Sequence, residues 1–332
     1  MKRISTLALV VFIAMTASAQ QNIPRRPVAT YSIVARDAAT GQMGVAVQSH
    51  WFSVGGIVTF AQAGVGAVAT QSFVDPAYGP LGLELMRTGR SATQALKALV
   101  SSDVGENVRQ VAMVDKNGEV ATHTGSKAIF AAGHHQGDGY SVQANMMESD
   151  EVWPAMARAY EQSEGDLADR LLAALDAAQA VGGDIRGKQS AALLIVPATS
   201  TGKPWADKIF DLRIEDHPEP LKELRRLVTM QRAYNAMNTG DELMTAGDVQ
   251  GAVDSYEYAM SLLPDEATNG EAPFWVGVTL VTADKVDDAL PYLRRAYAQN
   301  VRWAELLRRL PASDLLQDDP ELIERLISSM GK

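Results

Sequence analysis

The chain has no cysteine among its 332 residues. Thiol catalysis, cysteine-based zinc sites and disulfide staples are excluded together, and stability in an oxidising compartment has to come from packing. Histidine is scarce. His50, His123, His134, His135 and His217 are the whole set, and none falls in a His-Glu-x-x-His or comparable ligand spacing, so no metal site is expected. Phosphate-cradling and dinucleotide-binding glycine patterns are missing as well; Gly64 and Gly66 lack the third glycine, and strand packing explains them better. No cofactor is expected. The formal net charge of −10 argues against non-specific nucleic-acid binding, which needs a basic surface to displace counterions. The apolar run Leu7 to Met15 is too short to span a bilayer, and no later stretch is long enough either, so no membrane anchor is expected.

What is present begins with Lys2 and Arg3, that apolar run, and Ala17-Ser18-Ala19 before Gln20, which together read as a cleavable signal peptide over residues 1–19. Export to the periplasm or beyond follows. Residues 20–29, with Pro24 and Pro27, read as a leader. At Thr30 the pattern changes to alternation, with Tyr31, Ile33 and Ala35 on one face and Thr30, Ser32 and Val34 on the other. Asp37 to Gly41 supplies a turn, and Met43 to Ser49 returns, completing a hairpin that opens on a threonine. If the chain were cut before Thr30, hydroxyl nucleophile and free α-amine would share one residue, and the amine could take the hydroxyl proton. That is the chemistry of N-terminal-nucleophile (Ntn) hydrolases. The plain structural alternative is a β-branched strand residue behind a retained leader.

Further along, 55–61 and 65–70 read as two strands, 77–87 and 91–100 as helices, 108–114 and 119–124 as a hairpin around Asn117-Gly118, and 139–144 as another strand. Two amphipathic helices over 151–162 and 166–181 precede strands at 190–196 and 209–214. Antiparallel hairpins with helix pairs between them suggest two sheets sandwiched between helical layers, an α+β fold. Beyond Pro218 the pattern is helical, and a period of 37 relates Gly240 to Gly277, Leu243 to Leu280, Ala252 to Ala289 and Ala259 to Ala296. This predicts two helical hairpins of tetratricopeptide (TPR) type over 219–332, a region suited to binding protein or peptide.

The opening strand, Ala63 to Gln71, Pro76-Ala77-Tyr78-Gly79, Gln143-Ala144-Asn145 and the block Gly182 to Leu193 occur in an order that resembles the DUF1028 family, grouped with the Ntn-hydrolase superfamily. The resemblance covers about Thr30 to Val228. It implies an αββα sandwich over 30–218 and a mature N-terminus at or near Thr30. Some members carry a C-terminal module described as peptidoglycan-binding, and 219–332 is similar to it. Proteasome-type relatives use an acidic residue and a lysine near the nucleophile; Gln48 and the absence of an obvious lysine depart from that relay.

On this reading Thr30 is the nucleophile, with Gln48, Ser49 and His50, at the end of the second strand, placed to orient it or move a proton. Asn145, or the amides of Thr70 and Gln71, would steady an oxyanion, although a strand-end turn accounts for Asn145 as well. In the polar block, Asp184 and Arg186 either pair with each other to fix a turn or leave Arg186 to grip a substrate carboxylate. Gln189 and Ser190 reach the site if their strand runs beside the first. The expected activity is hydrolysis of an amide in a small molecule or peptide, with the helical repeats recruiting a protein or a cell-wall fragment. The competing expectation is a non-catalytic periplasmic binding or scaffold protein on the same fold.

Overall fold

The computed structural model describes residues 27–331. The expected signal peptide, and the leader as far as residue 26, lie outside the described residues.

Strands β1 (Thr30–Arg36) and β2 (Met43–Ser49) form the expected hairpin, pairing Thr30 with Ser49 and Arg36 with Met43. The Asp37 carboxylate closes the turn by accepting the amides of Ala39 and Thr40 at 2.7 and 3.1 Å. Every residue of β2 is buried, and so is all of β1 but Arg36, because both faces of their sheet are covered.

The stretch expected as a strand at 55–61 is split. Gly55–Val58 is a helical turn, α1, and only Thr59–Gln62 (β3) is extended. A Cβ on Gly55 would fall 2.6 Å from that of Ala192, so a side chain-free residue lets the turn lie against the neighbouring sheet while Val54 and Val58 enter the core. Tertiary burial here overrides the β-propensity of Ile57 and Val58. Next come β4 (Gly66–Ser72), α2 (Tyr78–Arg87), α3 (Ala92–Ser102), β5 (Arg109–Asp115) and β6 (Val120–Thr124). Helix α3 starts in a reciprocal box: Ser91 Oγ accepts the Gln94 amide, and Gln94 Oε1 accepts the Ser91 amide.

A strand absent from the sequence reading, β7 (Gly133–Gly137), precedes β8 (Tyr140–Asn145). It is an edge strand, Gly-His-His-Gln-Gly, half exposed and without apolar alternation, so no period-2 signal existed to find. Helices α4 (Val152–Gln162) and α5 (Leu167–Ala180) and strands β9 (Ser190–Val196) and β10 (Phe210–Ile214) complete the mixed region.

Two antiparallel sheets result. The larger runs β10-β9-β2-β1-β8-β7 and the smaller β3-β4-β5-β6. Alternation assigns their faces. Tyr31, Ile33 and Ala35 pack with α4 and α5, whereas Val34, Val45 and Val47 meet Ala67, Ala69, Ala112 and Val114 between the sheets. Val68, Val111 and Met113 face α2 and α3. Helices therefore cover the outer face of each sheet, and the two inner faces pack on one another.

From Pro220 the chain is helical: α6 (Pro220–Thr245), α7 (Val249–Leu262), α8 (Glu271–Thr282), α9 (Val286–Gln299), α10 (Trp303–Arg309) and α11 (Pro320–Met330). Helix α6 serves two cores. Leu221, Leu224 and Val228 pack with the larger sheet's helices, and Ala233, Ala236 and Met237 with the helical region. The 37-residue offset is carried into space. A Cβ on Gly240 would meet the Tyr256 ring at 2.8 Å, and one on Gly277 would meet Leu293 at 2.5 Å, the equivalent pair one period on. Ala252 and Ala289, also equivalent, are fully buried.

Candidate functional site

Pairing registers place Thr30 beside Ser49 on one side and Asn145 on the other, and Ser49 beside Ser190. Asn145, Thr30, Ser49 and Ser190 thus form one row across β8, β1, β2 and β9. Residues opposite each other share a face, and here it is the inner one. Ser190 is two strands from Thr30, on the order of 10 Å at ordinary strand spacing. Its hydroxyl accepts the Val54 amide at 3.1 Å and donates to the Trp51 carbonyl, holding the turn that leads into α1.

Gln48 and Thr70 do not join the row. Period-2 alternation turns Gln48 to the Tyr31 face, against the helices, where both polar atoms of its fully buried amide lack a partner among the described residues. Thr70 faces outward from β4, and its hydroxyl donates to the Asp75 carbonyl at 3.1 Å. His50 lies just past β2 with an exposed side chain, touching the site only through its amide, which donates to Asp184 Oδ2 at 2.9 Å. Gln189 bonds to Asp216 at 3.1 Å.

Around Thr30 the inner face is polar. Thr30 Oγ1 donates to the Val28 carbonyl at 2.8 Å and lies 3.3 Å from Ser49 Oγ. Gln71 crosses from the smaller sheet, and its Nε2 donates to the Thr30 carbonyl at 3.2 Å and to Gln110 Oε1 at 2.7 Å. Ser32 donates to Gln71 Oε1 and accepts from Gln143 Nε2, both at 2.6 Å. Backbone carbonyls only accept, so they fix the amide directions. Gln110 Nε2 is held by the carbonyls of Gly133 and Ala144 at 3.1 and 2.9 Å, so its Oε1 faces inward. That oxygen takes Asn145 Nδ2 at 3.0 Å. Asn145 Oδ1 is then left buried with no donor among the described residues. One of the two Nδ2 hydrogens of Asn145 is used by Gln110, which leaves the other for the oxyanion role expected of this residue.

The Ala29 carbonyl, one bond before Thr30, has two donors: the Ser49 hydroxyl and Arg186 Nη2, the latter at 3.1 Å. Asp184 and Arg186 also pair with each other at 2.9 Å, the turn-fixing arrangement, and the contact Arg186 makes beyond that pair is with a backbone carbonyl. Val28 and Ala29 are fully buried, and Val28 forms an antiparallel bridge to Ser72. Ser72 and Met146, which end β4 and follow β8, both adopt left-handed backbone at φ +70° and +58°. Non-glycine residues tolerate that region at a cost, and such strain collects at functional sites. On the outer face, burial first and the charges of Asp184 and Asp176 next push the Tyr31 hydroxyl well above its ordinary value, so it stays protonated and donates to Gln179 Oε1 at 3.0 Å.

Gln110, Ser32 and the leader residues Val28 and Ala29 were not anticipated as site residues from sequence. Gln110 alone carried a usable signal, a glutamine at an inner-face position just before the apolar run Val111 to Val114. Among the described residues no group of acidic, histidine or cysteine side chains is arranged to hold a metal, and no helix is long and apolar enough to cross a membrane.

These features define a mixed α/β protein with two antiparallel sheets between helices, a polar seam at one end of the sandwich, and a helical C-terminal region. The chain belongs to the family of unknown function DUF1028, whose model matches residues 30–224. It is similar to the crystal structure of a DUF1028 protein from Silicibacter pomeroyi, at 30% identity and a TM-score of 0.55, over 61% of this chain and 88% of that one. No curated protein matches it.

Proposed function

We propose that this is an exported Ntn-type amidohydrolase in which Thr30, freed from its leader, attacks an amide carbonyl. The observation that carries the reading is the Ala29 carbonyl, which precedes a hydroxyl residue and rests between the Ser49 hydroxyl and the Arg186 guanidinium. Donors aimed at a carbonyl oxygen stabilise the negative charge that attack at its carbon creates. In the first reaction Thr30 Oγ1 bonds to the Ala29 carbonyl carbon, and the C–N bond breaks as the Thr30 nitrogen takes a proton. Water then hydrolyses the resulting ester to a carboxylate and the restored hydroxyl. In later turnovers the Thr30 amine takes the hydroxyl proton, and an incoming amide plus water yields a carboxylic acid and an amine. No cofactor enters this scheme. The αββα layering supports placing the chain in the Ntn superfamily, and the helical hairpins support a TPR-like, peptide- or cell-wall-recruiting role for the C-terminal region.

A second reading, a non-catalytic periplasmic binding protein, draws on the complete burial of Val28 and Ala29 as a natural extension of β1. Intact mass and N-terminal sequencing of the exported protein separate the two. A start at Thr30, kept by Thr30→Ser and lost in Thr30→Ala, is expected. A stable chain that retains Val28 and Ala29 and resists an electrophilic β-lactone would refute the enzyme.

A further inference from the structure

The last two leader residues occupy a built site. The Val28 amide donates to the Ser72 carbonyl at 2.6 Å and the Ser72 amide donates to the Val28 carbonyl at 3.1 Å, one rung of antiparallel sheet. The Val28 side chain belongs to the inner apolar cluster that holds Val54 and Val58. Ala29, fully buried, presents its carbonyl to Ser49 and Arg186.

From this we infer that Val28 and Ala29 mark the acyl-side subsites, and that the substrate is an extended peptide amide whose scissile carbonyl belongs to an alanine-sized residue preceded by a valine-sized one. The inference rests on the reading of Thr30 as nucleophile. One hydroxyl has one direction of attack, so a carbonyl cleaved in trans has to stand where the Ala29 carbonyl stands, with its oxygen between the same two donors. The substrate residue that owns it inherits the space of Ala29, and the residue before it inherits the space of Val28 and the rung with Ser72. Extended peptides bind this way when a sheet offers free backbone groups and pockets take alternate side chains. Close packing around a fully buried alanine leaves no room for a phenylalanine. A carboxylate entering the Val28 space would be buried among valines without a partner, since the Asp184–Arg186 pair is internally neutralised.

The test uses the protein recovered with Thr30 at its N-terminus and four aminocoumarin amides: acetyl-Val-Ala, acetyl-Val-Phe, acetyl-Val-Glu and acetyl-Asp-Ala. The first is expected to be hydrolysed at least ~10-fold faster, in kcat/KM, than each of the others. In the full chain, Ala29→Phe is expected to slow cleavage before Thr30 by a similar factor, whereas Ala29→Gly is cleaved. Equal rates, a preference for phenylalanine, no turnover of any of the four, or an Ala29→Phe leader cut as fast as wild type would each overturn the subsite assignment. If the same preparation begins at Thr30 and is labelled by a β-lactone, the nucleophile reading survives that result. A chain that neither loses its leader nor takes the label overturns both.

Discussion

Asn145 stands directly across from Thr30 on β8, and its buried side-chain oxygen has no donor among the described residues. An orphaned buried acceptor costs about 1–3 kcal/mol, so something has to repay it. A free α-amine on Thr30 is a donor that only leader removal creates. Asn145→Ala is expected to keep stability within about 1 kcal/mol, because a hydrogen bond and an orphan disappear together while Gln110 Oε1 keeps Gln71. Turnover after leader removal is expected to fall at least ~10-fold. Urea denaturation and amide hydrolysis, measured on the same preparation, check the two halves. A large stability loss with unchanged turnover would make Asn145 a fold residue only.

The strands that carry this row were legible because Thr30–Arg36 opens in alternation, Ser190–Val196 is a short continuous apolar run, and turn chemistry at Asp37 fixes the hairpin. The row itself was half legible. Thr30, Ser49, Asn145 and Ser190 were named, but Gln48 and Thr70 were named beside them, since proximity in sequence carries no sign of which face a strand residue takes until the register is known. The seam on the facing sheet was illegible for another reason. Gln110 reaches Asn145 only through packing of two sheets 35 residues apart in sequence, which no local pattern encodes. The polar edge strand β7 and the turn α1 were lost to the same limit, tertiary context acting on segments whose own propensities are weak or contrary.

Ser49 and Arg186 should matter to leader removal in proportion to their grip on the Ala29 carbonyl. Ser49→Ala deletes one donor and is expected to slow cleavage before Thr30 by about 10²-fold or more. Arg186→Lys keeps the charge beside Asp184 but loses the fork that reaches both Asp184 and Ala29, so a comparable slowing is expected with the fold intact. Time courses of intact mass after synthesis measure both. Rates equal to wild type in the two variants would show that this carbonyl is held for structure alone.

Acid stability should be governed near the site by Asp103. Burial alone would raise its carboxyl, but the Arg109 guanidinium, the Gly105 amide and the Tyr78 hydroxyl outweigh that and hold it below the usual carboxylate range. A depressed acid stabilises the fold above its unfolded value and loses that contribution as pH falls through its folded one. Arg109, at 2.7 Å from Asp103, also donates to the Phe73 carbonyl, next to the Ser72 that pairs with Val28. Asp103→Asn is expected to cost about 1.5–3 kcal/mol at neutral pH, with the deficit shrinking below pH ~4. Urea titrations across that range test it, and a deficit independent of pH would mean that the carboxylate's charge contributes nothing.

The helical region offers a separate test, because its repeat is written in glycine. Gly277 lets α8 lie against Leu293 of α9, and a Cβ there would fall within 2.5 Å of the leucine's Cδ2. Overpacking of a fully buried contact costs about 1–3 kcal/mol, so Gly277→Ala should lower the thermal midpoint of the helical region by several degrees. Shortening the opposing side chain gives the space back: Leu293→Val alone removes one methylene and destabilises, but combined with Gly277→Ala it should cost less than the two separate effects added. A double-mutant cycle measures that coupling. At Gly240 the facing group is a tyrosine ring whose hydroxyl donates to Asp241 at 2.5 Å, so it cannot retreat without breaking that bond. Gly240→Ala is therefore expected to destabilise more than Gly277→Ala, and the opposite order would show that the two halves of the repeat are packed on different terms.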